Sequence, residues 1–159
     1  LGNISDPGDQ IHLKWPNDVL LHEKKVAGIL LEAETGGKEI PNWIIVGLGL
    51  NVTYFPNETT YPATSLAAES WSVGVEVVLE AFARSFQIWV NNWIDSGFEP
   101  IRRTWLDRAI GLGKAIEVRL EDQTIAGIFK NIDQEGRLII DQEGTERHIA
   151  AGDVYFLNN

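Results

Sequence analysis

The 159-residue chain contains no cysteine and no methionine. Without thiols there can be no disulfide, no cysteine-ligated zinc and no thiol nucleophile. Histidine is scarce as well. His12, His22 and His148 stand at no metal-ligand spacing, so they read as structural or solvated side chains and no protein-held metal site is predicted. Long hydrophobic runs are missing: no window holds the eighteen or so apolar residues a membrane helix needs. No basic, apolar secretory leader is visible, so the expectation is a cytoplasmic protein. Cations are outnumbered, with 13 Lys and Arg against 23 Asp and Glu, for a net charge of −10. That balance opposes general nucleic-acid binding, which needs a basic surface to displace counterions from phosphates. An anionic nucleotide would instead be held by a few placed cations and backbone amides. The lack of any Met, with Leu at position 1, leads us to expect a truncated segment.

What is present is core-forming. Hydrophobic residues make up 44% of the chain and six are Trp, which argues for a packed globular interior. The length suffices for one domain, or for part of one plus a small second one. Residues 1–9 are rich in Gly, Asp and Ser and read as a loop. Residues 10–14 alternate, Ile11 and Leu13 against His12 and Lys14, as a short strand does. Trp15-Pro16-Asn17-Asp18 breaks it, because Pro lacks an N–H and Asn and Asp bond their own backbone in turns. Residues 19–21 and 26–34 are predicted to form a hairpin across a charged turn at 22–25, with a second turn at Gly36-Gly37-Lys38. Residues 43–52 are apolar with Gly47 and Gly49 inside, and are predicted as a buried strand ending in a bend. Residues 53–63 form a loop.

From 75 to 94, Val75, Val78, Leu79, Phe82, Phe86, Trp89, Val90 and Trp93 recur at three- and four-residue steps, which predicts an amphipathic helix. Ser72 is the expected N-cap and Gly97 the expected stop. Trp71, Trp89, Trp93 and Trp105 are expected in the core around it. A second helix is predicted over 99–109. Beyond a boundary near 110–113 the pattern changes to five short strands, 115–120, 124–132, 138–141, 146–150 and 154–157, with turn-rich separators. Such spacing suggests a small closed barrel, which removes sheet edges. Glu143–Arg147 reads as a solvated turn.

Three segments carry chemistry. Lys14-Trp15-Pro16-Asn17-Asp18 gathers a cation, an aromatic, an amide and a carboxylate on one strand end, although a surface turn with a packed Trp fits equally well. Lys25-Val26-Ala27-Gly28-Ile29-Leu30 taken alone reads as a hairpin with solvated lysines. Gly28 inside an apolar strand, however, is the mark of close approach by a ligand or another backbone. Gly47-Leu48-Gly49-Leu50-Asn51 follows a strand as a phosphate loop would, but a third glycine and a following helix are absent, which argues against a dinucleotide fold.

In this order the three segments resemble the biotin–protein ligases, with their KWPND-type turn, KxxGIL-type strand and GxGxN-type strand end. The resemblance runs from Ile11 to about Phe156. It implies an α/β (α+β) catalytic fold with a mixed sheet related to class II aminoacyl-tRNA synthetases, over residues 1–110. A small Src-homology-3-like β-barrel over 111–159 would follow. It also implies ATP and biotin as substrates, Mg²⁺ with the ATP, and a biotin carboxyl carrier protein as partner, with a homodimer as a further option. Biotin would be joined to AMP as biotinyl-5′-adenylate and then passed to a carrier lysine. By position, Lys25 meets the biotin carboxylate and the α-phosphate, and Asp18 lies near the adenylate as a candidate proton acceptor for the carrier lysine. Lys14, Trp15, Asn17, Asp18 and Asn51 fall on the nucleotide side. Gly28, Leu30, Gly47 and Gly49, with Lys25, fall on the biotin side.

The sequence departs from that family in two respects: no Gly/Arg-rich loop of GRGRxxR type precedes Lys14, and the family motifs that precede that loop and also contact biotin are missing. A protein of these residues alone is expected to bind biotin poorly and not to catalyse on its own. Two other readings stay open, a non-catalytic binding module of the same fold and a lipoate–protein ligase.

Overall fold

The computed structural model describes residues 1, 2, 5, 8–37 and 40–157. Lys38, and with it part of the second predicted turn, lies outside the described residues, as do several positions of the loop predicted over 1–9. The first half is an antiparallel meander of β1 (Ile11–Lys14), β2 (Asp18–Leu21), β3 (Lys24–Glu34) and β4 (Trp43–Leu50), paired in that order. Among the described residues parallel pairing occurs only as two isolated bridges, Leu13 with Ala109 and Lys25 with Ala63. Two helices follow, α1 (Val75–Ser96) and α2 (Glu99–Leu106), then β5 (Ala115–Arg119), β6 (Thr124–Ile132), β7 (Leu138–Gln142), β8 (Thr145–Ile149) and β9 (Asp153–Phe156). The result is an α+β chain with two antiparallel sheets.

The second sheet runs β8-β7-β6-β5-β9 and wraps one core. Its period-2 alternation is direct: Ile116 and Val118, Leu138 and Ile140, Ile149 and Val154 all point inward and are buried. The predicted closed barrel is corrected in one detail. Among the described residues no ladder joins β8 to β9, so these remain as edges. Trp15 enters this core from the β1–β2 turn, 5% exposed, its indole Nε1 donating to the Gly136 carbonyl at 3.0 Å. The Trp15–Pro16 peptide is cis. Arg102 of α2 adds a second tie, donating to Asn131 Oδ1 and the Ile132 carbonyl, both at 2.9 Å. Trp105 meets Phe129 edge to face.

A separate cluster under the first sheet holds Leu21, Val26, Ala27, Leu66, Trp71 and Val78. Only Val78 of α1 is buried, which corrects the predicted stripe: Val75, Leu79, Phe86, Trp89 and Trp93 are exposed. α1 meets the first sheet over a short stretch, where Val78, Ala81, Phe82 and Ser85 share a cavity with Ile11, Leu13, Val19, Ile29 and Leu48. Trp71 is buried and Trp105 packs half-buried against the second core, whereas Trp89 and Trp93 are exposed. The predicted burial of the 43–52 run is corrected as well. β4 is the sheet edge, and Trp43, Ile44, Ile45 and Val46 are exposed there. Gly74, not Ser72, stands at the N-cap of α1 and makes no side-chain bond, while Gly97 ends the helix at φ 74°.

Candidate active site

The register of the first sheet builds the site. Lys14 faces Asp18 across β1 and β2, Asp18 faces Gly28 on β3, and Gly28 faces Gly49 on β4. Residues directly opposite one another share a sheet face, so these four form one row, with Leu30 and Gly47 forming the next. In a regular strand Lys25 and Gly28, three residues apart, would point to opposite faces. The pairing slips between β2 and β3, from Val19 opposite Ala27 to Leu20 opposite Lys25, leaving Val26 as the extra residue. Val26 and Ala27 both turn into the core, and the parity change brings Lys25 to the glycine face.

The Lys25 ammonium then sits 2.5 Å from Asp18 Oδ1, and Lys14 Nζ lies 3.1 Å from Oδ2 of the same carboxylate. Lys14 and Asp18 are buried, at 6% and 8% exposure, while the Lys25 side chain is 42% exposed. A buried carboxylate with two ammonium partners is compensated, and its surplus positive charge faces the cleft. Lys14 Nζ also stands 5.1 Å from the centre of the Tyr61 ring. Burial raises the Tyr61 hydroxyl above the usual phenol range, with the carboxylates of Glu23 and Asp18 adding to the effect.

A cleft of about 620 Å³ opens on this row, lined by Lys14, Asp18, Lys25, Gly28, Gly49 and Asn51. A shallower groove of about 470 Å³ continues from it along Asn17, Gly28, Leu30, Gly47 and Gly49. The Gly49 face is open, whereas Gly28 is covered by the Lys25 side chain, whose Cε and Nζ would lie 3.4 and 3.5 Å from a Cβ there. A Cβ at Gly49 would meet only the Gly28 carbonyl, at 3.9 Å, so packing within the chain does not require glycine there.

Nine of the ten sequence-predicted site residues therefore surround one connected depression. The structure places two of the ten differently from expectation. Trp15 lies inside the second core and lines neither cavity, so it does not pack beside a nucleotide there. Asn17 lies on the groove side, and its amide donates to the Ile29 carbonyl at 2.7 Å. Sequence reasoning missed Thr59, Thr60 and Tyr61 of the loop, and Asp153 and Tyr155 of β9, all of which line the cleft. The loop residues carry no periodic signal. The β9 residues reach the cleft only because the second sheet packs beside the first.

The fold and this row define the class. A family model described as the biotin/lipoate A/B protein ligase family matches residues 1–107, and one described as the biotin protein ligase C terminal domain matches residues 111–157. The chain belongs to the biotin/lipoate protein ligase family. Its similarity to biotin–[acetyl-CoA-carboxylase] ligase of Paracoccus denitrificans is 36% identity over 162 residues, 98% of this chain and 67% of that protein. To the bifunctional ligase/repressor BirA of Bacillus spizizenii it is 33% over 150 residues, 91% of this chain and 46% of that one. Among solved structures, the biotin protein ligase from Aquifex aeolicus in complex with biotin and ATP matches with TM-score 0.76 and 25% identity. That match covers 94% of this chain and 62% of the other. The chain spans from about half to two thirds of the length of these relatives.

Proposed function

We propose that this chain serves the ATP-dependent attachment of biotin to a lysine of a biotin carboxyl carrier protein, in the cytoplasm, through biotinyl-5′-adenylate. The observation that carries the reading is the Lys25 ammonium held by Asp18 over Gly28, next to the open face of Gly49. In the first step a biotin carboxylate oxygen bonds to the α-phosphorus of ATP as the bond from that phosphorus to pyrophosphate breaks. Two anions must meet, and a preorganised ammonium in a sheltered site offsets their repulsion and the added transition-state charge. Lys25 takes this role. The glycine groove takes the biotin rings, with Leu30 at its rim, because absent Cβ atoms let a flat ligand lie on the backbone. Lys14 and Asn51 face the nucleotide side.

In the second step the carrier lysine nitrogen attacks the acyl carbon, AMP leaves, and the amine gives up a proton, for which Asp18 is the nearby acceptor. Mg²⁺ would neutralise phosphate charge. It would be carried mainly by phosphates and water. We divide the chain at 110/111 into a catalytic portion and a barrel. The exposed β4 edge is the surface a second copy would use, which sedimentation equilibrium would test.

The central test is calorimetric titration of the chain with ATP and Mg²⁺, and separately with biotin and with lipoate, followed by carrier mass after incubation with biotin, ATP and Mg²⁺. Lys25→Ala should weaken ATP binding about tenfold or more, the scale of a lost charge-assisted bond of about 1.5–3 kcal/mol. Equal binding by wild type and Lys25→Ala removes the role of Lys25. Tighter binding of lipoate than of biotin turns the assignment to lipoate.

A further inference from the structure

Beside the cleft, but outside it, one carboxylate gathers three partners from two separate segments. Glu69 Oε1 accepts from Thr64 Oγ1 at 2.6 Å and from Lys24 Nζ at 2.9 Å, while Oε2 lies 2.8 Å from His22 Nδ1. The other nitrogen of His22 stands 3.5 Å from Asp9 Oδ1. Hydrogen bonds from Thr64 and His22 bring the Glu69 carboxyl down from its ordinary 4.5 to about 2, with Lys24 adding to the effect, so it is an anion throughout the neutral range.

Each partner has a position that matters. His22 and Glu23 form the β2–β3 turn with φ of 49° and 62°, and neither is Gly or Asn. Left-handed backbone at such residues is unfavourable and persists where the surroundings enforce it. Lys24 starts β3, one residue before Lys25. Thr64 is 1% exposed, and its backbone serves both segments of the cleft. Its N–H donates to the Lys25 carbonyl at 2.9 Å, and its carbonyl accepts from Asn51 Nδ2 at 2.9 Å. The Lys25 N–H in turn donates to the Pro62 carbonyl at 2.7 Å. Glu69 itself lines neither the cleft nor the groove.

We propose that Glu69 is a positioning residue for this site: through Thr64 it fixes the backbone of Lys25 and the carboxamide of Asn51, and through His22 and Lys24 it fixes the turn from which β3 departs. The role rests on the function proposed above. Without the carboxylate, Thr64 would keep its place by backbone bonds alone, the 61–66 segment would loosen from β3, and Lys25 would lose the frame that aims its ammonium. A buried hydroxyl beside an unfilled site would also be left without its acceptor.

The test compares wild type with Glu69→Ala, Thr64→Val and Thr64→Ser. Val matches the volume of Thr and removes only the hydroxyl, whereas Ser keeps it. Circular dichroism establishes that each variant is folded, amide hydrogen exchange is followed at Lys25 and Thr64, and ATP with Mg²⁺ is titrated calorimetrically. Glu69→Ala and Thr64→Val should exchange faster at both amides and bind ATP about tenfold more weakly, the scale of a lost bond to a charged group. Thr64→Ser should restore both properties. Wild-type affinity in folded Glu69→Ala and Thr64→Val overturns the role of Glu69 while leaving the ligase reading standing. Should Glu69→Ala be unfolded, the Thr64 pair decides alone, and equal affinity of Val and Ser variants overturns the proposal. A wild-type chain that binds no ATP overturns the ligase reading and this role with it.

Discussion

Removing the Trp15 side chain gives the most direct measure of how the two sheets depend on each other. The residue leaves the first sheet at the β1–β2 turn, yet its ring is 5% exposed within the cluster of Ile116, Val118, Phe129, Leu138 and Ile140. Truncating a buried aromatic to Ala costs about 3–5 kcal/mol through lost transfer energy and the cavity left behind. The indole N–H bond to the Gly136 carbonyl adds about 1 kcal/mol, since that carbonyl would lose its partner. Together these approach half of the about 5–15 kcal/mol by which domains are stable. With a urea slope of about 2 kcal/mol/M, Trp15→Ala should lower the unfolding midpoint by about 2–3 M. Trp15→Phe keeps most of the packing and loses the N–H, so about 0.5–1 M is expected. The assay is urea unfolding followed by far-ultraviolet circular dichroism, because five other tryptophans complicate fluorescence. ATP affinity should fall in Trp15→Ala as well, since Lys14 and Asp18 flank the same turn. An Ala midpoint within 0.3 M of wild type would refute the placement of the ring in the second core.

Two further perturbations separate ligand contact from folding. Gly49→Ala adds a Cβ that meets only the Gly28 carbonyl at 3.9 Å, so stability should hold or rise by about 0.4–1 kcal/mol as the unfolded chain loses freedom. Biotin affinity measured by calorimetry should nevertheless fall about tenfold or more, and unchanged affinity would show that no ligand lies on that glycine. Acid sensitivity follows from Glu69, whose folded value of about 2 lies below its ordinary 4.5. Its contribution to stability is complete above pH 4.5 and disappears as pH falls toward 2. Urea midpoints should therefore decline through that interval more steeply in wild type than in Glu69→Ala, and parallel declines would contradict the assignment. Asp133 acts in the same direction: desolvation opposes its ionisation, but bonds from His148 and Arg137 outweigh it and lower its value.

What could be read from the residues was whatever local chemistry dictates. Alternation placed Ile11 and Leu13 on β1 and the inward residues of the second sheet, and Gly97 marked the end of α1, because these signals act over one turn or one strand. The α1 stripe was legible as a helix but not as a burial pattern, since burial depends on which distant segments pack against the helix. Trp15 was legible as part of a chemical motif and proved to be a packing residue of a sheet that begins 100 residues later. The loop residues Thr59 to Tyr61, and Asp153 and Tyr155, became visible only when distant segments returned to the same cleft.

The placement of Lys25 shows where local inference stops and why. Read as a regular strand, residues 24–30 would send Lys25 and Gly28 to opposite faces, and the motif would carry its cation away from its glycines. The slip at Val26 reverses that outcome. Val26 is fully buried and Ala27 nearly so, both on the core that Leu66, Trp71 and Val78 complete. The extra residue is held there by contacts from segments 40 to 52 residues downstream. On the β4 side the pairing stays regular past the slip, and Asn51 anchors Val26 there: its N–H donates to the Val26 carbonyl at 2.9 Å, one step beyond the Ala27–Leu50 pair. The last residue of the GxGxN segment thus supports the irregularity that aims the lysine of the KxxGIL segment. Two motifs separated by a hairpin are one device, and the hydrophobic burial of Val26 is the part of it that sets the direction of the ammonium.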